Sequence, residues 1–125
     1  MTILIVAVGG GLGAVARYAT VLLIRSLFPS QRLPYATLTV NLLGSFALGI
    51  FFAMLFGEVQ GTLSTEASFL FFAVGFFGAY TTFSTFSVDT VQIFSQGRTK
   101  DSLIYVTVST AGSIASFFAG ISLIQ

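Results

Sequence analysis

Gly75-Phe76-Phe77-Gly78-Ala79-Tyr80-Thr81-Thr82-Phe83-Ser84-Thr85-Phe86-Ser87 lies inside a long apolar stretch running from about Ala67 to Ser95. It makes a poor straight helix. Gly75 and Gly78 loosen the backbone, and Thr81-Thr82 adds two β-branched residues shortly after them. A straight helix over the whole stretch would span about 43 Å, against a hydrocarbon core of roughly 30 Å. A break near Gly78 to Thr81 removes the excess; a tilt, or an end projecting into water, removes it too. Carbonyl and N–H groups freed by a break cannot face lipid and must face protein, water or an ion. After it come the hydroxyls of Thr81, Thr82, Ser84, Thr85 and Ser87, with Phe83 and Phe86 three apart on one face. Hydroxyls and aromatic rings together at membrane depth point to a lined pathway.

The rest of the composition agrees with a membrane setting. The chain has 125 residues, 55% hydrophobic and only 7% charged, with a mean hydropathy of +0.98. A soluble domain of this size carries far more charge, so the sequence reads as an all-α integral membrane protein. A net charge of +1 offers no basic face for nucleic acid. With no Cys and no His, thiol chemistry, His-based acid–base catalysis and Cys/His metal sites are excluded together. Glu58, Glu66, Asp89 and Asp101 are scattered, with no pair at helical spacing. No enzyme is expected.

The first apolar segment runs from about Ile3 to Phe28. It continues far past the length of a signal peptide and reads as a retained transmembrane helix. Gly9-Gly10-Gly11-Leu12-Gly13-Ala14 superficially matches a dinucleotide fingerprint, but no acidic residue follows about twenty positions on. Gly9 and Gly13 instead form a small-xxx-small packing face. Arg17 lies in the middle of this segment, too deep for easy snorkelling, and a buried arginine in a span marks a functional site. Both prolines of the chain mark the loop Phe28 to Pro34.

The second segment covers about Tyr35 to Phe56, and its odd residue is Asn41. One reading is an interhelical hydrogen bond; the other is an amide donor to an anion, given without a charge. A polar connection, Gly57 to Glu66, leads into the third segment, where Asp89 is expected at the water boundary. The last loop is Gln96 to Asp101. The fourth segment, about Ser102 to Ile124, carries a stripe of Tyr105, Ser109, Ser113, Ser116 and Gly120 at spacings of three and four. Small-residue packing suffices for Ser116 and Gly120.

Gly75-x-x-Gly78-x-x-Thr81-Thr82-Phe83-Ser84-Thr85-Phe86-Ser87 on a third hydrophobic segment resembles the Fluc (CrcB) family of bacterial fluoride channels. The resemblance extends to Gly13-Ala14-Val15-Ala16-Arg17-Tyr18, to Asn41-Leu42-Leu43-Gly44 and to the Tyr105-Ser109-Ser113 stripe, and so covers the whole chain. The sequence departs from the family at Ala79, Tyr80 and Asp89, where glycine, an aliphatic residue and glutamate are more usual.

The resemblance implies a single domain of four transmembrane helices, at about 3–28, 35–56, 67–95 and 102–124, with the third broken near its middle. It implies an antiparallel dimer with pores at the subunit boundary, exporting fluoride passively across the cytoplasmic (inner) membrane of a bacterium. Asn41, Thr82, Phe83, Ser84, Thr85, Phe86, Tyr105, Ser109 and Ser113 would line the fluoride path, with Arg17 at an aqueous vestibule where it raises local anion concentration. A structural sodium ion at the dimer centre would be held by the carbonyls of Gly78 and Thr81. The partners implied are fluoride, the lipid bilayer and a second copy in opposite orientation.

One feature pulls the other way. Arg25, Arg32, Arg98 and Lys100 all flank one side of the four spans, a bias that favours a single orientation with both termini outside. A pairing with a homologue of opposite bias would reconcile the two. Two rival functions have clear signatures. A proton-coupled small multidrug transporter needs a carboxylate deep in the first span, which this chain lacks. A non-transporting assembly subunit leaves the hydroxyl-rich face of the third segment unexplained.

Overall fold

The computed structural model describes residues 1–29, 32–57 and 63–125. All regular structure among them is helical: α1 (Thr2–Leu27), α2 (Tyr35–Gly57), α3 (Leu63–Ser68), a π-helix (Phe69–Phe77), α4 (Gly78–Tyr80), α5 (Phe83–Ser95) and α6 (Thr99–Ile124). Four helical stretches are long and apolar enough to cross a membrane: Thr2–Leu27, Tyr35–Gly57, Glu66–Ser95 and Thr99–Ile124. The middle of the Phe28 to Pro34 loop and half of the Gly57 to Glu66 connection lie outside the described residues.

Two boundaries differ from the sequence reading. The third helical stretch starts at Leu63 rather than near Ala67, and α6 starts at Thr99 rather than near Ser102. The second shift has a visible cause. Gly97, at φ 78°, ends α5 in a left-handed turn, with Gly97 N–H on the Phe94 carbonyl (3.1 Å) and Arg98 N–H on that of Ile93 (3.3 Å). The chain reverses within three residues, and Asp101 falls in the first turn of α6, where the helix dipole favours a carboxylate. Asp101 also accepts from Nε of both Arg32 (3.1 Å) and Arg98 (3.0 Å). The Arg98 guanidinium in turn donates to the Arg32 carbonyl, so the two loops at this end are clasped together.

Packing follows glycine. The bilayer offers no hydrophobic drive between helices, so close backbone approach and dispersion must hold the bundle. Gly9 and Gly13 of α1 are buried, and a Cβ on either would collide with the carbonyls of Phe71 and Phe76 in the π-helix. The same logic joins α2 to α6, where Gly49 meets the Phe117 carbonyl and Gly120 the Phe46 carbonyl. Among the described residues only Val40 and Tyr105 are fully buried large side chains, whereas Phe83 is 79% exposed. Nothing in the Phe-rich run from Phe69 to Phe77 signals the wider π winding, a rare geometry that recurs near functional sites.

Candidate functional site

Helicity stops after Tyr80. Thr81 (φ −76°, ψ 159°) and Thr82 (φ −146°, ψ 123°) are both extended, and α5 begins at Phe83. Gly44 of α2 makes room for this pair, since a Cβ there would strike the Thr81 methyl and the Tyr80 ring. Tyr80 is buried, with its hydroxyl 3.1 Å from that of Thr20 on α1.

The extended pair strands backbone groups, and named side chains collect them. Thr82 N–H donates to Asn41 Oδ1 (2.9 Å), and Asn41 Nδ2 donates to the Thr82 carbonyl (3.0 Å). The asparagine thus acts as a one-residue strand, closing both hydrogen bonds of Thr82. Thr82 Oγ1 caps α5 by accepting from Thr85 N–H (3.2 Å) and donates its own hydrogen to Thr85 Oγ1 (3.2 Å). Thr81 remains tied to the preceding helix, with its N–H (3.0 Å) and hydroxyl (2.9 Å) on the Phe77 carbonyl.

The extended pair leaves the carbonyls of Gly78, Ala79, Tyr80 and Thr81 without their helical donors, and for two of them a side chain has taken the donor. Thr82 N–H would close on Gly78 in a continuous helix but goes to Asn41 instead. Thr85 N–H would close on Thr81 but goes to the Thr82 hydroxyl. The carbonyl oxygens of Gly78 and Thr81 are hard ligands of the kind an alkali cation takes. Among the described residues no cluster of His, Cys, Asp or Glu could hold a metal.

Beside the extended pair lies a groove of about 400 Å³. Helix α2 contributes Asn41, Ser45 and Leu48; the chain from Thr81 onward contributes Thr81, Thr82, Phe83 and Phe86; α6 contributes Ser109, Thr110, Ser113 and Ile114. The Phe83 and Phe86 rings lie 5.8 Å apart at 44°, and Phe86 leans on Tyr105 at 5.4 Å. Ser109 is 4% exposed, and its hydroxyl has no partner among the described residues. Among the described residues no charged side chain lines this groove.

Of the residues singled out in the sequence, Asn41, Thr82, Phe83, Phe86, Ser109 and Ser113 are brought together here. Ser84 and Thr85 are exposed on the first turn of α5 and do not line the groove. Nor does Tyr105: its hydroxyl reaches Asp89 (3.4 Å), which also accepts from Thr37 (2.8 Å). Asp89 is therefore drawn into a contact with α2 and α6 rather than left at a bare water boundary. It borders a smaller polar hollow of about 210 Å³ that includes Arg32, Gln92, Gln96 and Arg98. Arg17 sits half-buried on α1, outside the groove, and has no hydrogen bond or ion pair among the described residues.

Ser45 and Thr110 line the groove although sequence reasoning did not select them. Ser45 could have been found, because it lies four residues after Asn41 and shares its helix face. Thr110 stands next to Ser109, off the three-and-four stripe, and only the packing reveals it.

Residues 4–121 match the family model described as CrcB-like protein, Camphor Resistance (CrcB). The chain is 46% identical to the fluoride-specific ion channel FluC 1 of Halalkalibacterium halodurans, over 96% of this chain and 94% of that protein. It is 45% identical to the fluoride-specific ion channel FluC of Idiomarina loihiensis, over 94% of this chain and 88% of the relative. The FluC of Legionella pneumophila strain Lens is 40% identical, over 94% and 84% respectively.

Proposed function

The chain belongs to the CrcB family, and from that premise we propose that it is a fluoride-selective channel, passively exporting the ion across the cytoplasmic membrane of a bacterium. The observation that carries the reading is the uncharged groove at membrane depth, lined by hydroxyls and two phenylalanines, with the buried Ser109 hydroxyl unpartnered.

Fluoride is small, strongly hydrated and a strong hydrogen-bond acceptor. A conduit must replace its water with donors yet let it go, and full cations along the narrow part would trap it. Ser109 and Ser113 supply neutral hydroxyl donors, and Asn41 keeps one hydrogen of its NH₂ beyond that given to Thr82. The edges of the Phe83 and Phe86 rings carry the positive part of the quadrupole and support an anion in the same groove. Thr82 works differently from the donors: its hydroxyl holds the start of α5.

The hydroxyls and amide lining the groove beside the 79% exposed Phe83 are a surface lipid would cover badly. A second copy in opposite orientation, or a homologue, closes the groove in this reading. The third span then acts as a broken helix. The Gly78 and Thr81 carbonyls suit a structural sodium ion, which would supply fixed positive charge between two such breaks.

The test is efflux from liposomes containing the purified protein, loaded with fluoride and chloride. Rapid fluoride release with chloride retained is expected. Equal release of both ions would sink the reading.

A further inference from the structure

Most mid-helix hydroxyls of this bundle fall into two groups. A serine or threonine within a helix ordinarily donates to the carbonyl four residues back. Thr20, Ser87, Thr90, Ser95, Thr107 and Ser122 do so at 2.8 to 2.9 Å, and none of them lines the groove. Ser45, Ser109, Thr110 and Ser113 do line it, and none makes a hydrogen bond among the described residues. Thr81 lines the groove too but is tied to the Phe77 carbonyl (2.9 Å), whereas Ser26, Thr39 and Ser116 lack that bond and lie elsewhere. A hydroxyl that declines the nearest carbonyl keeps its hydrogen for whatever enters the groove.

From this we infer that Ser45 and Thr110 are donors to the permeating ion, completing a ring that the α6 stripe begins. The inference rests on the channel reading and extends it. Ser45 follows Asn41 by one turn of α2, so the two face the groove in series. Thr110 sits between Ser109 and Ser113 in sequence and widens the donor row of α6 beyond a single file. Asn41 has already spent its carbonyl and one N–H on Thr82, and Thr82 has spent its hydroxyl on Thr85. A desolvated fluoride passing the extended pair therefore needs donors from the facing walls. Ser45 stands on one wall and Thr110 on the other.

The experiment compares fluoride efflux from liposomes for Ser45→Ala, Thr110→Val, Ser45→Thr and Thr110→Ser, with Thr107→Val as control. Ser45→Ala and Thr110→Val are expected to slow efflux several-fold, while the two hydroxyl-retaining variants stay near the wild-type rate. Thr107→Val, whose hydroxyl is bound to the Leu103 carbonyl, should conduct normally. Wild-type rates in both Ser45→Ala and Thr110→Val would overturn the inference and leave the channel reading standing. Slowing of Thr110→Ser to the level of Thr110→Val would also overturn it, since shape rather than the hydroxyl would then matter. A wild-type protein that releases no fluoride would fail both.

Discussion

Asn41 and Ser109 line the same groove and have opposite energetic characters. Asn41 is committed: its amide replaces the helical partner that Thr82 N–H gave up and adds a second donor to the Thr82 carbonyl. Ser109 is uncommitted, buried with an unused hydroxyl. A polar group of the first kind supports the fold that makes the groove. One of the second kind costs stability, and the cost is repaid only when an ion is bound. Much of the polar lining divides along this line, with Thr82 beside Asn41 and Ser45, Thr110 and Ser113 beside Ser109.

The sharpest test is Asn41→Ala. It orphans the Thr82 N–H at membrane depth, where an unsatisfied group costs several kcal/mol, and takes the second donor from the Thr82 carbonyl. Melting of the detergent-solubilised protein should fall by an amount equivalent to about 3 kcal/mol or more, and fluoride efflux should be lost. An unchanged melting temperature would break the comparison at its committed end. Ser109→Ala should behave in the reverse sense. Removing an unpartnered hydroxyl leaves stability unchanged or raises it by about 1 kcal/mol, while efflux drops about tenfold. Loss of stability in that variant would mean that Ser109 belongs with Asn41. The smallest effect is expected from Thr82→Val, which removes the cap of α5 at a cost of about 1 kcal/mol. Its efflux should fall only a few-fold, as Phe83 and Phe86 shift with the helix start.

Much of this was legible from residue types and spacing. The low charge and four apolar runs are enough for a four-span membrane protein, and Gly9 with Gly13 announces the α1 seam. Thr82, Phe83 and Phe86 announce the groove through an odd local composition. What sequence could not express is how each donor is spent. Asn41 carried both readings, and only its position opposite Thr82 shows an interhelical bond that still leaves one hydrogen free. Ser84 and Thr85 share their composition with Thr82 but turn away from the groove, because the chain re-enters a helix at Phe83 and rotates them outward. The family resemblance puts Tyr105 in the path, and in the structure its hydroxyl lies against Asp89, the two coming from different helices. The π winding from Phe69 to Phe77 has no signature in residue order at all.

The Asn41–Thr82 pairing also bears on how the protein is made. The two residues are 41 positions apart, with Asn41 the earlier. At a synthesis rate of about 5–20 residues per second, α2 leads Thr82 by roughly 2 to 8 s. The amide that will receive the stranded N–H is therefore already in the bilayer when the third span arrives. A permuted chain in which the third span emerged before α2 would have to expose that backbone to lipid during the wait. The order of the helices along the chain acts as a chaperone for its least membrane-compatible pair of residues.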